Sequence, residues 1–335
     1  DSKSTDWFSV DLETAEIVGR AKSISLETDG LFDVTVAPLV KLWKFGSQDG
    51  EAISNPPTPS QIAEAMKLVG SDKIEVQLDP PALKKQHADM RIDLSAIAKG
   101  YAVDQVASIL ESNDVSDFMI EIGGEIRVAG NSSKGGAWRI GIESPDRGER
   151  NVDSVVSLGD CAIATSGDYR NFREINGTIY THVIDPTTGQ SVHHDLASVT
   201  VIANDCEKAD ALATALLAKG HDHGKAWAEQ HDIDAMFLRR SDGKILHSYT
   251  GDFPAVETKP DQASRSFAGE FFQVAAIAGL IFGIAVIAMS VGTIFSNRRL
   301  TGSCGGLAAV TDEQGKTVCE LCSRPSPDCL GPDEP

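Results

Sequence analysis

From Phe271 to Phe295 the chain runs for some twenty-five residues with Gln273 as its one strongly polar side chain. A helix of that length, at about 1.5 Å per residue, spans the hydrocarbon core of a bilayer, and helices buried in soluble domains rarely run so far without a charge. The sequence therefore predicts one transmembrane helix over 271–295, separating a large leading domain from a short tail. Asn297, Arg298 and Arg299 follow the run at once, while Glu270 and an acidic domain precede it. Basic flanks stay on the cytoplasmic side, so the tail is expected in the cytoplasm and residues 1–270 outside it. The chain opens on Asp1 with no signal peptide in view, and an upstream portion is expected to precede it.

The net charge of −19 argues against nucleic acid as a partner, since phosphate would be repelled. At 335 residues the chain can bury a large core. Two cysteines, Cys161 and Cys206, belong to the leading domain, whereas Cys304, Cys319, Cys322 and Cys329 crowd the tail. On the reducing side of a membrane, four such thiols read as metal ligands rather than disulfides. Redox exchange and binding to a partner are the alternatives.

In the leading domain the hydrophobic period alternates between helix and strand. Leu12, Ala15, Val18, Ala21 and Ile24 recur at helical steps and predict a helix over 12–26, ended by Thr28-Asp29-Gly30. Residues 31–46 suggest a short strand and turn, 59–69 a helix, and Ile74 to Leu78 a strand paired with Arg91-Ile92. Residues 93–111 predict an amphipathic helix, its stripe made by Leu94, Ile97, Ala98, Tyr101, Ala102, Val106, Ile109 and Leu110. Asp93 or Ser95 would cap its start and Lys99 would follow one turn along, a place for an anion such as a diphosphate. A hairpin turning at Gly123-Gly124 follows, then strands over 137–143, 152–158, 161–165 and 197–203. A helix from Asn204 or Asp205 to Lys219, a further helix, and strands around 235–239 and through Tyr249 complete the domain. His193, His194, His221, His223 and His231 lack metal spacing and are expected at the surface.

The densest polar grouping lies between Gly159 and Gly189. Thr165, Ser166 and Gly167 lead from a strand to Tyr169 and Arg170, and Asn176-Gly177 closes a hairpin because it accepts the positive φ of a type I′ turn. On the return strand, predicted over 178–185, His182 sits among apolar neighbours. Such a histidine is either a packed core residue or a functional base. Asp210 and Thr214, four apart on one helical face, are hard oxygen ligands of the kind Mg²⁺ takes when substrate phosphates supply the rest. An acidic first turn answering the helix dipole is the structural alternative.

Six of these stretches together resemble the ApbE family of FAD:protein FMN transferases. They are DGLFDVTVAPLVKLWKFG at 29–46, IDLSAIAKGYAVD at 92–104, IEIGGEIRVAG at 120–130, ATSGDYR at 164–170, THVIDPTTG at 181–189 and KADALATAL at 208–216. The resemblance implies an α+β, two-lobed domain of antiparallel sheets and packed helices. It also implies Mg²⁺-dependent attack by a target threonine on the FAD diphosphate, giving protein-linked FMN and AMP. In that reading Asp210, Thr214 and the Ala96 backbone carbonyl hold Mg²⁺, and His182 and Asp210 are catalytic. Asp93, Ser95, Lys99, Asp104 and Glu125 hold or frame FAD, and Thr165, Ser166, Gly167 and Arg170 form the loop beside it. The family has a further N-terminal strand and helix region, absent here. An FAD pyrophosphatase giving free FMN and AMP, and a flavin-binding scaffold without turnover, are the rival readings.

The sequence AMSVGTIFSNRRLTGSCGGL at 288–307, with Cys319, Cys322 and Cys329, resembles the membrane-bound maturation factor of the Na⁺-translocating NADH:quinone reductase. That resemblance implies iron handling by the tail, and threonine-bearing subunits of the reductase as targets. The expected layout is a transferase domain over 1–250, a linker over 251–270, the membrane helix over 271–295 and the Cys-rich tail over 296–335.

Overall fold

A computed structural model describes residues 2–45, 55–146 and 151–258. The chain divides into two units, 1–260 and 261–335, and every described residue lies in the first. The membrane helix expected over 271–295 and Cys304, Cys319, Cys322 and Cys329 lie outside the described residues. Among the described residues no helix is long and apolar enough to cross a membrane.

In chain order the elements are β1 (Phe8–Ser9), α1 (Leu12–Glu27), α2 (Ala37–Leu42), α3 (Pro59–Met66), β2 (Ile74–Leu78), β3 (Pro81–Lys85) and α4 (Ala98–Ser112). Next come β4 (Phe118–Ile122), β5 (Glu125–Ala129), β6 (Trp138–Glu143), β7 (Val152–Leu158), β8 (Cys161–Gly167), β9 (Phe172–Ile175) and β10 (Thr178–Thr181). The chain continues through β11 (Leu196–Ala203), α5 (Cys206–Lys219), α6 (His221–Gln230), β12 (Asp234–Ser241), β13 (Lys244–Thr250) and β14 (Val256–Thr258).

The centre is a six-stranded sheet, β13-β12-β11-β8-β5-β4, antiparallel throughout. Strand periodicity sends successive side chains to opposite faces, and here both faces are apolar. Val199, Val201, Ala235 and Phe237 pack with Leu212, Leu216 and Leu217 of α5. Met236, Leu238, Val128 and Ile163 pack with Ile140, Ile142, Val156 and Leu158 of the three-stranded β14-β7-β6 sheet. Helix α5 is buried on two sides, because Ala211 and Ala215 also meet Ile17, Val18 and Ala21 of α1. Each of its three buried leucines contributes roughly 1.5–3 kcal/mol relative to an exposed position. Its alanines admit α1 and α4 closely, and a Cβ at Gly100 of α4 would lie 2.3 Å from the Cys206 carbonyl oxygen.

Several expectations are corrected. Residues 34–42 are helical, not strand: Asp33 accepts hydrogen bonds from the Thr35 N–H (2.8 Å) and hydroxyl (2.7 Å), a 3₁₀ turn follows, and Pro38 opens α2. Leu39 and Trp43, one turn apart, are buried together. Strand β2 pairs with β3, not with Arg91-Ile92. Helix α4 begins at Ala98, since the Asp93 side chain accepts from the Ser95 N–H (2.9 Å) and holds a turn that competes with helix. Its inner face is Gly100, Val103 and Ala107, while Val106 and Ile109 are exposed, because the close approach to α5 selects small residues. The strand carrying His182 ends at Thr181, and β14 pairs with β7 beyond residue 250, so the folded unit extends into the expected linker.

Candidate active site

Asp210 enters α5 from the helix's buried face, and only 3 % of its side chain meets solvent. A bare carboxylate is costly there. Two donors from α4 compensate: the Gly100 N–H lies 3.2 Å from Oδ2, and Lys99 Nζ lies 3.2 Å from both oxygens. The same ammonium reaches Glu125 Oε1 at 3.3 Å. Two nearly buried carboxylates thus share one cation. Burial, and then the negative charge of Asp210, push the Glu125 carboxyl up to about 7. Burial also raises Asp210, against the pull of Lys99 and the Gly100 amide. For Lys99, burial acts to lower the pKa, but the attraction of Asp210 and Glu125 outweighs it and the net direction is upward. Glu125 Oε2 is buried without a hydrogen-bond partner.

One turn beyond Asp210, the Thr214 hydroxyl lies 2.9 Å from that of Ser166, at the end of β8. Chain leaving β8 turns through residues 168–171. Gly167 is required at the start of that turn, since a Cβ there would sit 2.2 Å from the Tyr169 ring. Arg170 pairs with Glu143. The carbonyl of Asn171 receives the backbone N–H of His182 and lies 3.0 Å from His182 Nδ1. A carbonyl only accepts, so Nδ1 carries the proton, and in the neutral ring Nε2 keeps its lone pair. Burial holds the imidazole below its ordinary pKa of 6.5, opposed by the Asn171 carbonyl and the charge of Asp168.

These groups line one cleft of about 570 Å³. Of the sequence-predicted residues, His182, Asp210, Thr214, Asp93, Ser95, Ala96, Lys99, Glu125, Thr165, Ser166, Gly167 and Arg170 all face it. They come from segments far apart in the chain, and both glycines of the β4–β5 turn lie at its wall. The ApbE family profile matches residues 1–237. The chain belongs to the ApbE family.

Its ApbE relatives include the FAD:protein FMN transferase of Vibrio cholerae, 40 % identical over 239 residues, covering 71 % of this chain and 70 % of that protein. That of Haemophilus influenzae is 39 % identical over 254 residues, covering 75 % and 73 %. Among solved structures, the flavin transferase ApbE from Vibrio cholerae shares 36 % identity with a TM-score of 0.66, over 75 % of this chain and 79 % of that one. The apo flavinyl transferase ApbE of Pseudomonas stutzeri shares 35 % with the same TM-score, over 75 % and 76 %. Residues 293–329 match a second family profile, (Na⁺)-NQR maturation NqrM.

Within this ApbE site one expected cofactor residue has a different place. Asp104 is not among the cleft's lining residues. Its carboxylate accepts the Cys206 N–H (3.1 Å) and the Glu207 N–H (2.8 Å), and it pairs with Arg127 at 2.8 Å. It therefore caps α5 from α4; Asp205, which with Asn204 marks the helix start in the sequence, makes no side-chain capping hydrogen bond. Conversely, the cleft includes Leu31, Phe32, Asp33, Met119, Glu121, Tyr169 and Ile184. All of these except Met119 lie inside motifs already recognised in the sequence, but apolar wall residues such as Leu31, Phe32 and Ile184 carry no chemical signature that marks them as site rather than core.

A hard divalent cation fits the donor set. Asp210 and Glu125 share one ammonium, and Glu125 Oε2 is a buried oxygen without a hydrogen-bond partner. Among the described residues no group of three or more His, Cys, Asp and Glu side chains forms a metal cage by itself. Asp210 and Thr214 would hold the ion, with Ala96 on the same wall, and the remaining ligands would be water or phosphate oxygens, as Mg²⁺ prefers.

Proposed function

We propose that this chain transfers FMN from FAD to a threonine hydroxyl of a target protein. The observation that carries this reading is the meeting of Asp210, Thr214 and Lys99 with the neutral His182 in one cleft. In the reaction the threonine oxygen forms a bond to the FMN phosphorus, the diphosphate P–O bond breaks, and AMP departs. Phosphoryl transfer needs positioning and neutralised charge more than a covalent catalyst. Mg²⁺, when bound, would supply Lewis-acid stabilisation of charge on the phosphate oxygens. Asp210 and Thr214 would hold it there. Lys99, fixed by two carboxylates, adds positive charge on the same side. His182 is suited to take the threonine proton at Nε2, because Nδ1 is committed to the Asn171 carbonyl and burial keeps the ring neutral.

Incubating the full chain with FAD, Mg²⁺ and a threonine-bearing fragment tests this reading. Covalent flavin on the fragment is expected. Free FMN and AMP alone would favour the pyrophosphatase, and neither product would favour a scaffold.

The NqrM match over 293–329 supports the Na⁺-translocating NADH:quinone reductase as the complex that supplies the target, with a tail that assists iron delivery. The apolar run and Arg298-Arg299 support a single-pass inner-membrane protein with its transferase periplasmic and its tail cytoplasmic. Thiol labelling in intact cells that reaches the tail but not a probe cysteine at position 259 would overturn this topology. Iron content unchanged in Cys304→Ser and Cys322→Ser under anaerobic conditions would overturn the tail's role.

A further inference from the structure

His182 is oriented by a carbonyl that is itself held from outside the cleft. Asn171 ends the short link between β8 and β9, and Tyr169, Arg170 and Asn171 of that link line the cleft. Asp168 does not. It is 5 % exposed, and its N–H donates to the Ala197 carbonyl at 2.9 Å. Its carboxylate accepts two hydrogen bonds from Arg240 of β12, at 2.7 and 2.8 Å. Arg240 is fixed in turn: Nη2 also donates to the Pro145 carbonyl at 2.9 Å, and its backbone N–H donates to the Asp195 carbonyl at 2.8 Å. A bidentate guanidinium–carboxylate pair constrains orientation as well as distance. The chain segments leaving β6, leaving β8 and entering β11 are thereby locked together three residues upstream of the carbonyl that grips the imidazole.

We propose that the Arg240–Asp168 pair is the positioning element of His182, presenting its ring to the reacting hydroxyl without touching substrate. This rests on the reading of His182 as the group that takes the threonine proton. A misplacement of about 1 Å in such a group costs on the order of 10²-fold in rate.

The test is a double-mutant cycle in the full chain, reading single-turnover FMN transfer to the threonine fragment and, separately, FAD affinity. Arg240→Met and Asp168→Asn are each expected to slow transfer by about 10²-fold with FAD affinity little changed, and Arg240→Lys to recover part of the loss. Combined with His182→Asn, neither change is expected to slow transfer further, because residues acting through one group are non-additive. Full additivity on a folded, FAD-binding protein would overturn the positioning role while leaving His182 as the base. Loss of FAD binding in all three single variants would make the pair a determinant of folding and also overturn it. If His182→Asn alone transfers at the wild-type rate, the failure lies in the reading of His182, and the positioning role falls with it.

Discussion

Gly100→Ala sets two physical arguments against each other. Gly100 is a helical residue in α4, and replacing a helical glycine by alanine ordinarily stabilises by about 1 kcal/mol. The structure requires the opposite sign. An added Cβ would lie 2.3 Å from the Cys206 carbonyl oxygen, 2.6 Å from its carbon and 2.7 Å from Glu207 Cα, all backbone atoms with no rotamer to yield. Restoring ordinary contact needs α4 and α5 to separate by about 1 Å, an overpacking cost of roughly 1–3 kcal/mol. For a unit of this size that lowers Tm by roughly 2–12 °C. The same separation pulls the Gly100 N–H, now 3.2 Å from Asp210 Oδ2, out of hydrogen-bond range and shifts the carboxylate within the cleft. Transfer should then fall by about 10²-fold. Calorimetry with a covalent-flavin gel assay reads both quantities. A raised Tm with an unchanged rate would show that the helices part freely here and that the close approach is not what positions Asp210.

Asp210→Ala should reduce transfer by roughly 10²–10³-fold while weakening FAD binding far less, measured by titration calorimetry beside the same gel; equal losses would argue against a role in the transition state. His182→Asn should remove the acid limb of the pH–rate profile. Because burial lowers this group's pKa, the neutral base persists below pH 6.5 and wild-type activity declines only as pH falls through the depressed value. The linked stability is complete above the unfolded value and lost over the same descent. Asp104→Ala should cost about 1–2 kcal/mol through the lost cap of α5, seen as a lower denaturation midpoint with FAD affinity retained. Lost FAD affinity at unchanged stability would return Asp104 to the cofactor.

The parts legible in the sequence were those where one signal dominated. Alternation and turn chemistry located β4 to β8 and the Asn176-Gly177 hairpin, whose two turn residues have φ of 53° and 79°. Spacing put Asp210 and Thr214 on one helical face, and the family motifs gathered the residues that line the cleft. Helix α4 was misread at both levels because two rules competed. Asp93 and Ser95 look like caps but form their own turn, and a stripe counted from Leu94 hides the Gly100, Val103 and Ala107 face that is buried. The capping of α5 by Asp104 was invisible because the two residues that share that bond are over a hundred positions apart. Strand β3 begins with proline and ends in two lysines, so its pairing with β2 depends on the sheet and not on its own composition.

The burial of α5 against both α1 and the central sheet has a consequence during synthesis. A ribosome releases Lys99, Glu125, Ser166 and His182 before it releases Asp210 and Thr214, and the helix that carries the last two also fills two of the hydrophobic clusters. A half-made chain therefore has neither a finished interior nor a finished cleft. The cleft closes only once the segment through Lys219 has folded inward. A chain ending before α5 lacks Asp210 and Thr214 together with the helix that completes both clusters.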